Sequence, residues 1–251
     1  MKTKWIWAAI VLLLTSCAQV KDAANPSLTG PDSNKMDRLD YNITEADYTS
    51  GNMSIKYPQI TGLDDAGRQN KINELIRNES LKVLHYYTDP GNQGIPDNLD
   101  LDITYQIALK DANRLSIQYA GLGDVAGAAH PNNLFYTTNI DLANGTKLRL
   151  NDVVVIDEHF IDKLWNGQFT VPEHTAASKS DIVDALKMWS KSELLQQFNH
   201  SDSLDEIGTA SQSDIFSYFT KDSVGISIPV SHALGDHAEF EIKYSDLELK
   251  K

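Results

Sequence analysis

Three histidines and an aspartate stand in settings that could support chemistry. His232, Asp236 and His237 share the short segment HALGDH, and His130 ends the small-residue tract GAAH. Imidazole and carboxylate groups are common zinc ligands, and a catalytic zinc keeps one position open for water. As one alternative, the sequence therefore predicts a metal-dependent envelope hydrolase that uses His130, Asp236 and His237. Their spacing matches no recurrent metal motif, and a link between two strands is expected to carry polar residues in any case.

Other catalytic templates are missing from the sequence. It has no glycine-rich phosphate loop, no Gly-x-Ser-x-Gly elbow and no His-Glu-x-x-His pair, and nothing marks one serine as an activated nucleophile. Acidic pairs such as Asp100 with Asp102, or Asp205 with Glu206, could cleave glycosidic bonds only in a sugar-sized cleft that holds one carboxyl protonated. Such pairs arise by chance in a chain with 35 acidic residues. We therefore predict a protein that is not an enzyme, with no catalytic residue, metal or cofactor.

The tract around His130 has two interpretations. Glycine permits positive φ and a close approach of the backbone, so Gly127 favours a tight loop beside a partner surface. The histidine then either caps that loop or touches a ligand. On the second interpretation we predict a ligand-binding group of Gly127, His130, His232 and His237. The sequence leaves open whether these side chains come together.

The N-terminus predicts the compartment. Lys2 and Lys4 precede an apolar run over residues 5–14, and the only cysteine, Cys17, follows the small residues Thr15 and Ser16. Ten helical residues rise only about 15 Å, half of a bilayer core, so this run indicates a signal peptide rather than a membrane span. The LTSC sequence is typical of a bacterial lipobox, in which cleavage precedes a cysteine that carries diacylglycerol. The alternative is a secreted protein with a buried cysteine.

These features predict a membrane-anchored lipoprotein of the cell envelope, facing the periplasm or the cell exterior. The signal peptide covers residues 1–16, the membrane is bound through lipidated Cys17, and a flexible tether rich in Pro, Ser, Asn and Gly covers residues 17–38. A lipidated lone cysteine leaves no disulfide, so the fold depends on its own core.

The chain is acidic. It has 22 basic and 35 acidic residues and a net charge of −13, which argues against nucleic acid and against anionic lipid headgroups as partners. Such a charge would attract a basic partner. An acidic surface that serves only solubility is the alternative.

Apolar periodicity predicts the elements. Two short strands are expected within residues 41–57, a helix over 64–87, and an antiparallel hairpin from the alternation over 101–109 and 115–119. A further strand over 136–142 turns at Asn144 and Gly145. A short helix is expected over 158–165, a longer one from an N-cap at Ser180 to Phe198, and strands over 215–219, 224–230 and 240–244.

This order predicts an α+β fold in which an antiparallel β-sheet meander is packed by two to three helices. The folded domain is expected over residues 39–251, and a division into subdomains 39–95 and 96–251 is an open alternative. The apolar stripe that includes Ala185 and Trp189 is expected to be core.

Several stretches together resemble one family. The segments MSIKYPQITG, RQNKINELI, LDITYQIALKDANRLSIQYAG, GAAHP, YTTNIDLANGTKLRLNDVV, FSYFTKDSVGISIPV and HAEFEIKYSDL follow one another in this order. The chain thereby resembles the RsiV-like extracytoplasmic domain family, which also forms the N-terminal part of PdaC-type peptidoglycan deacetylases. The resemblance covers residues 53–247, and its loop before a histidine matches GAAH at 127–130.

The resemblance implies a function in binding. Family members of the anti-sigma factor type sense lysozyme by binding it, and an acidic domain suits a strongly basic enzyme. With four residues before the apolar run, we expect no cytoplasmic sigma-binding part, and no deacetylase domain is expected. The link SHALGDHAEF departs from the aromatic and glycine-rich link usual in the family.

We therefore predict a lipid-anchored cell-envelope binding protein without catalysis. Its expected ligand is a basic protein of lysozyme type or a peptidoglycan-related glycan, and nucleic acid is not expected. The alternatives are the metal-dependent hydrolase named above and a structural lipoprotein that only positions a partner complex.

Overall fold

The computed structural model describes residues 40–88 and 94–250. The signal peptide over 1–16, the lipidation site Cys17 and the tether over 17–38 are predictions that lie outside these residues.

The described residues confirm the α+β class, with five α-helices rather than two to three. The strands are β1 Asn42–Ser50, β2 Met53–Thr61, β3 Leu99–Lys110, β4 Arg114–Val125, β5 Asn132–Asp141, β6 Thr146–Leu148, β7 Phe216–Phe219, β8 Ser223–Pro229 and β9 His237–Lys243. The helices are α1 Ala66–Leu81, α2 Leu150–Val153, α3 Glu158–Trp165, α4 Lys179–Leu186 and α5 Lys191–Asn199.

Six strands form a sheet whose spatial order, β1-β2-β3-β4-β5-β6, follows the chain. The predicted hairpin of β3 and β4 is confirmed. The prediction of an entirely antiparallel sheet is wrong at one place, because β2 and β3 pair in parallel over residues 53–55 and 101–103. Helix α1 lies between these two strands in the chain, and a connection of that length is what a parallel pair requires.

The last three strands form a second, antiparallel sheet in the order β7-β8-β9. One of its faces shares an apolar core with α3, α4 and α5, to which Val224, Ile226 and Phe240 belong. Its other face adds Phe216 and Tyr218 to the core of the first sheet. The second sheet therefore has a buried residue at almost every position of β7 and β8.

Polar side chains join the free edge of β7 to the first sheet. The amide of Ser217 donates to Asp202 Oδ1 at 2.5 Å, and its carbonyl accepts from Asn139 Nδ2 at 2.8 Å. The amide of Phe219 donates to Ser116 Oγ at 2.9 Å. Because a buried strand edge cannot leave its backbone groups unpaired, these side chains take the place of a fourth strand.

The long helix predicted from Ser180 to Phe198 is instead two helices. Ser178, not Ser180, caps α4 and forms a capping box with Asp181. Ser190 starts α5 with a second capping box, in which the Ser190 amide donates to Glu193 Oε2 at 2.8 Å. The Ser-x-x-Glu signal at residues 190–193 thus restarts the helix inside an otherwise continuous apolar stripe. Within residues 40–88 and 94–250, no helix has the length and apolar character needed to cross a membrane.

Candidate functional site

The β4–β5 loop explains the glycine in the tract before His130. The amide of Ala128 donates to the carbonyl of Val125 at 2.8 Å, which closes a four-residue turn. Gly127 is the third residue of this turn and has φ of +98°, as type II turns require. A Cβ added there would meet no atom within 4 Å, so the requirement for glycine is conformational.

The connection between β8 and β9 is also built on left-handed backbone. Gly235 has φ of +100° and Asp236 has φ of +67°, a conformation that aspartate tolerates better than most residues. The carbonyl of Asp236 accepts from the amide of Val230 at 3.0 Å, which closes the loop. The residues between them form a short 3₁₀ turn that presents His232.

These two loops meet, and their contact brings two of the predicted histidines together, His130 and His232. The rings of His130 and His232 stack with centroids 3.8 Å apart and planes 16° apart. His232 Nδ1 lies 2.9 Å from Asp236 Oδ1. Asp236 Oδ2 accepts from the amide of Asn133 at 2.8 Å and from its Nδ2 at 3.0 Å. Asp236 therefore fixes the β8–β9 connection to the start of β5, next to the β4–β5 loop.

The environment of Asp236 favours its charged form. Partial burial raises the pKa of this carboxyl, but the hydrogen bonds from Asn133 and the neighbouring His232 act in the opposite direction and keep it below its usual value. The carboxylate therefore remains an acceptor for both loops at neutral pH.

A cavity of about 260 Å³ lies beneath the loop pair. Its walls include the rings of Tyr87, Phe135 and His237, and the imidazole stacks on Phe135 at 5.0 Å. Another wall holds Tyr86, whose hydroxyl donates to Asp214 Oδ1 at 2.7 Å. The cavity thus combines aromatic surfaces with hydrogen-bonding groups.

His237 is held in its neutral form by burial, and this predicts a pH dependence. Burial lowers the pKa of the imidazole, although nearby Asp236 acts in the opposite direction, and Nδ1 is buried without a hydrogen-bond partner. The unfolded chain binds this proton at higher pH than the folded chain does, so the stability contribution is complete above about pH 6.5 and is lost as pH falls through the lowered pKa.

We therefore expect the free energy of unfolding of the wild type to fall relative to that of His237→Gln between about pH 6.5 and 5, with a constant difference above pH 7.5. Urea denaturation across this pH range measures the difference. His85→Gln is the matched control, since His85 lies outside the loop pair, in the 3₁₀ turn after α1. Parallel curves for the wild type and His237→Gln over the whole range would contradict the buried neutral state.

An apolar groove of about 650 Å³ lies on the other side of the β8–β9 connection. Met188 lines this groove, and 85% of its surface is exposed. Among the described residues, no other large apolar side chain is as exposed. Val230 and Leu234 supply the facing wall. Trp189, which is expected in the core, is half-buried: it packs against the core of the second sheet and also lines the groove. This α4 groove is defined by Asp181, Asp184, Ala185, Met188, Trp189, Pro229, Val230, Ser231 and Leu234.

Several contributors to the site carry no signal in the sequence. Asn133 is an ordinary polar residue at the start of β5 until Asp236 approaches it from 103 positions away. Phe135 is one apolar residue of an alternating strand, and Met188 follows a helix like any surface residue. A partial signal existed for the β8–β9 connection, because Gly235 next to Asp236 is typical of a turn.

Metal coordination gains no support from the predicted residues. His130 stacks on His232, while His237 packs on Phe135 at the cavity wall. Among the described residues, no group of three or more His, Cys, Asp or Glu is placed to hold a metal ion. The acidic pair Asp205 and Glu206 is engaged elsewhere, with Lys82 and His200.

Comparisons with known proteins give structural neighbours. No protein-family model and no curated protein matches the chain. A crystal structure of a DUF3298 family member from Bacteroides fragilis is similar at 16% identity, over 84% of this chain and 94% of that chain, with a TM-score of 0.46. A DUF3298 family protein from Pseudomonas aeruginosa is similar at 11% identity, over 84% and 94% of the two chains, with a TM-score of 0.44.

Proposed function

We propose that this chain is a lipid-anchored cell-envelope protein that binds a basic protein of lysozyme type without catalysis. The observation that carries the proposal is the α4 groove, in which an exposed methionine and a half-buried tryptophan lie beside two aspartates. Exposed apolar surface rimmed by charge is typical of protein interaction sites. Methionine and tryptophan are enriched at such interfaces.

The charge of the groove specifies the partner. Asp181 and Asp184 stand one helical turn apart, and neither forms an ion pair within the described residues. An apolar segment that carries lysine or arginine would fill the groove and pair with both carboxylates. The net charge of −13 adds long-range attraction for a basic protein. The resemblance to the RsiV-like family suggests the same class of partner.

Calorimetric titration of the purified chain with a basic c-type lysozyme tests the proposal. We expect saturable binding near 1:1 that weakens with salt. Asp184→Lys should weaken binding at least about tenfold, because it replaces a complementary charge with a repulsive one at the centre of the contact. Met188→Ala should weaken it by a similar factor without loss of stability, since that side chain is exposed.

Two variants serve as matched controls. Asp47→Lys makes the same change in net charge on exposed strand β1, and Leu122→Ala removes another exposed apolar side chain. Each should leave the affinity within about threefold of the wild type, since long-range charge alone has a small effect. Equal losses in Asp184→Lys and Asp47→Lys would show non-specific attraction and remove the groove from the proposal. No binding heat at low salt would remove lysozyme as partner.

A peptidoglycan-related glycan is the second candidate, and the cavity beneath the loop pair favours it. Its volume of about 260 Å³ suits one sugar ring, and Phe135 and Asp214 offer an aromatic surface and an acceptor. Titration with N-acetylglucosamine oligosaccharides, followed by the NMR signals of the His237 imidazole, tests this candidate. Shifts at His237 without lysozyme binding would replace the first proposal by the second.

The hydrolase alternative is separated by metal analysis. It predicts about one zinc ion per purified chain, and loss of this zinc in His237→Ala. A zinc-free wild type whose His237→Ala variant folds normally would end that alternative.

A further inference from the structure

Another cavity, of about 460 Å³, has three lysines among the residues that line it. Lys163 reaches it from α3, Lys179 from the first turn of α4, and Lys243 from the end of β9. Three separate elements therefore bring lysines to one cavity, in a chain whose acidic residues outnumber its basic ones by 35 to 22.

These lysines have no carboxylate partner among the described residues within 4.0 Å. Lys163 Nζ donates to the backbone carbonyl of Asp246 and keeps its remaining donors. Glu241 also lines the cavity, and its carboxylate accepts from Ser223 Oγ at 2.7 Å. The carboxylate of Asp246, which also lines the cavity, accepts from Ser245 Oγ at 3.3 Å. The three lysines therefore outnumber two carboxylates that already have hydrogen-bond partners.

The cavity floor is rigid. Phe169 is buried and packs on Phe240 with ring centroids 4.5 Å apart. Thr170 and Glu241 exchange two backbone hydrogen bonds of 2.9 and 2.8 Å, which tie the floor to β9. Lys179 Nζ lies 5.3 Å from the centre of the Phe169 ring, a cation–π contact that holds its side chain over the cavity.

Gly167 leaves space for the side chain of Lys179. The glycine has φ of +65°, and a Cβ added there would lie 3.3 Å from Lys179 Cε. The absence of a side chain thus lets the lysine stem pass close to the backbone between α3 and the floor. The ammonium is positioned by packing and not by a salt bridge.

We infer that this cavity binds a phosphoryl group. Three lysines at one cavity match a ligand that carries more than one negative charge and several acceptor oxygens, and lysine binds phosphate as a point charge. The volume exceeds that of phosphate alone, so the ligand includes the glycerol or sugar unit that bears it. The net negative charge of the chain repels anionic membranes at long range. At physiological salt this repulsion is screened beyond about 8 Å, so a local cluster of lysines can still bind an anion.

Such a group can come from a phospholipid headgroup or from a free phosphate ester, and calorimetry of the purified chain distinguishes them. The probes are inorganic phosphate, glycerol 3-phosphate and soluble dihexanoyl phosphatidic acid, each titrated at low salt in a phosphate-free buffer. Equal binding of the last two indicates a free ester, whereas binding of the lipid analogue alone indicates a headgroup. In either case the Lys179→Gln/Lys243→Gln variant should bind at least about tenfold more weakly.

The control is Lys187→Gln/Lys221→Gln, which makes the same change in net charge at two exposed lysines that do not line the cavity. Its affinity should stay within about twofold of the wild type. Circular dichroism checks that both double variants are folded. No binding by any probe, or equal losses in both double variants, would overturn the inference.

Discussion

Asp202→Ala is expected to lower the free energy of unfolding by about 3 to 5 kcal/mol. The carboxylate of Asp202 accepts from the amide of Leu150 at 2.7 Å and from the amide and hydroxyl of Ser217 at 2.5 and 2.7 Å. Only 1% of Asp202 is exposed, so alanine leaves these donors buried without an acceptor. Each such donor costs about 1 to 3 kcal/mol.

The backbone adds to this cost. Asp202 has φ of +61°, a conformation that alanine adopts at a cost of about 1 kcal/mol or more, whereas asparagine tolerates it well. Asp202→Asn therefore keeps the backbone preference and one acceptor oxygen while losing the other. We expect it to cost about half as much as alanine.

Urea denaturation, compared at constant m-value, measures these changes. Asp47→Ala is the matched control, because Asp47 is exposed on β1 and should change stability by less than about 0.5 kcal/mol. A loss below about 1 kcal/mol for Asp202→Ala would show that the junction between the two sheets does not depend on this carboxyl.

This junction marks the boundary of what the sequence predicts. Alternation and helical spacing predict the β3–β4 hairpin and helix α3 because each depends on residues close in the chain. Pairing between β2 and β3, and the separation of β7 from the first sheet, depend on contacts across the fold. Ser116 and Asn139 read as unremarkable strand residues until the edge of β7 lies against them.

The candidate site shows the same division. Gly127 and Gly235 indicate loops, since glycine is favoured where φ is positive. The stacking of His130 on His232 arises only because β5 and the β8–β9 connection come together in space. Asn133 fixes that meeting through Asp236, and nothing in the spacing of these residues predicts it.

A row of rings connects the second sheet to this site. Tyr218 lies 6.4 Å from Phe135 in an edge arrangement, and Phe135 stacks on His237 at 5.0 Å. The row begins over Gly225, which pairs with Tyr218 across β7 and β8. A Cβ added at Gly225 would lie only 2.0 Å from the Tyr218 ring. The glycine therefore sets the position of the first ring.

Gly225→Ala is expected to cost about 3 kcal/mol, the upper part of the range for overpacking, since Tyr218 is buried and has no space to retreat. Tyr218→Ala alone should cost about 3 to 5 kcal/mol through the cavity it leaves. The double variant should cost at least about 2 kcal/mol less than the sum, because the added methyl then occupies the space of the missing ring.

Chemical denaturation of the four members of this cycle measures the interaction, and the NMR signals of His237 report whether the displaced ring disturbs the site. We expect these signals to shift in Gly225→Ala but not in Gly67→Ala, which adds a methyl on helix α1, where the nearest atom to the added Cβ is Asp65 Oδ1 at 3.3 Å. Additive costs would mean that Tyr218 moves aside freely. In that case the row of rings would not be the path by which the second sheet positions His237.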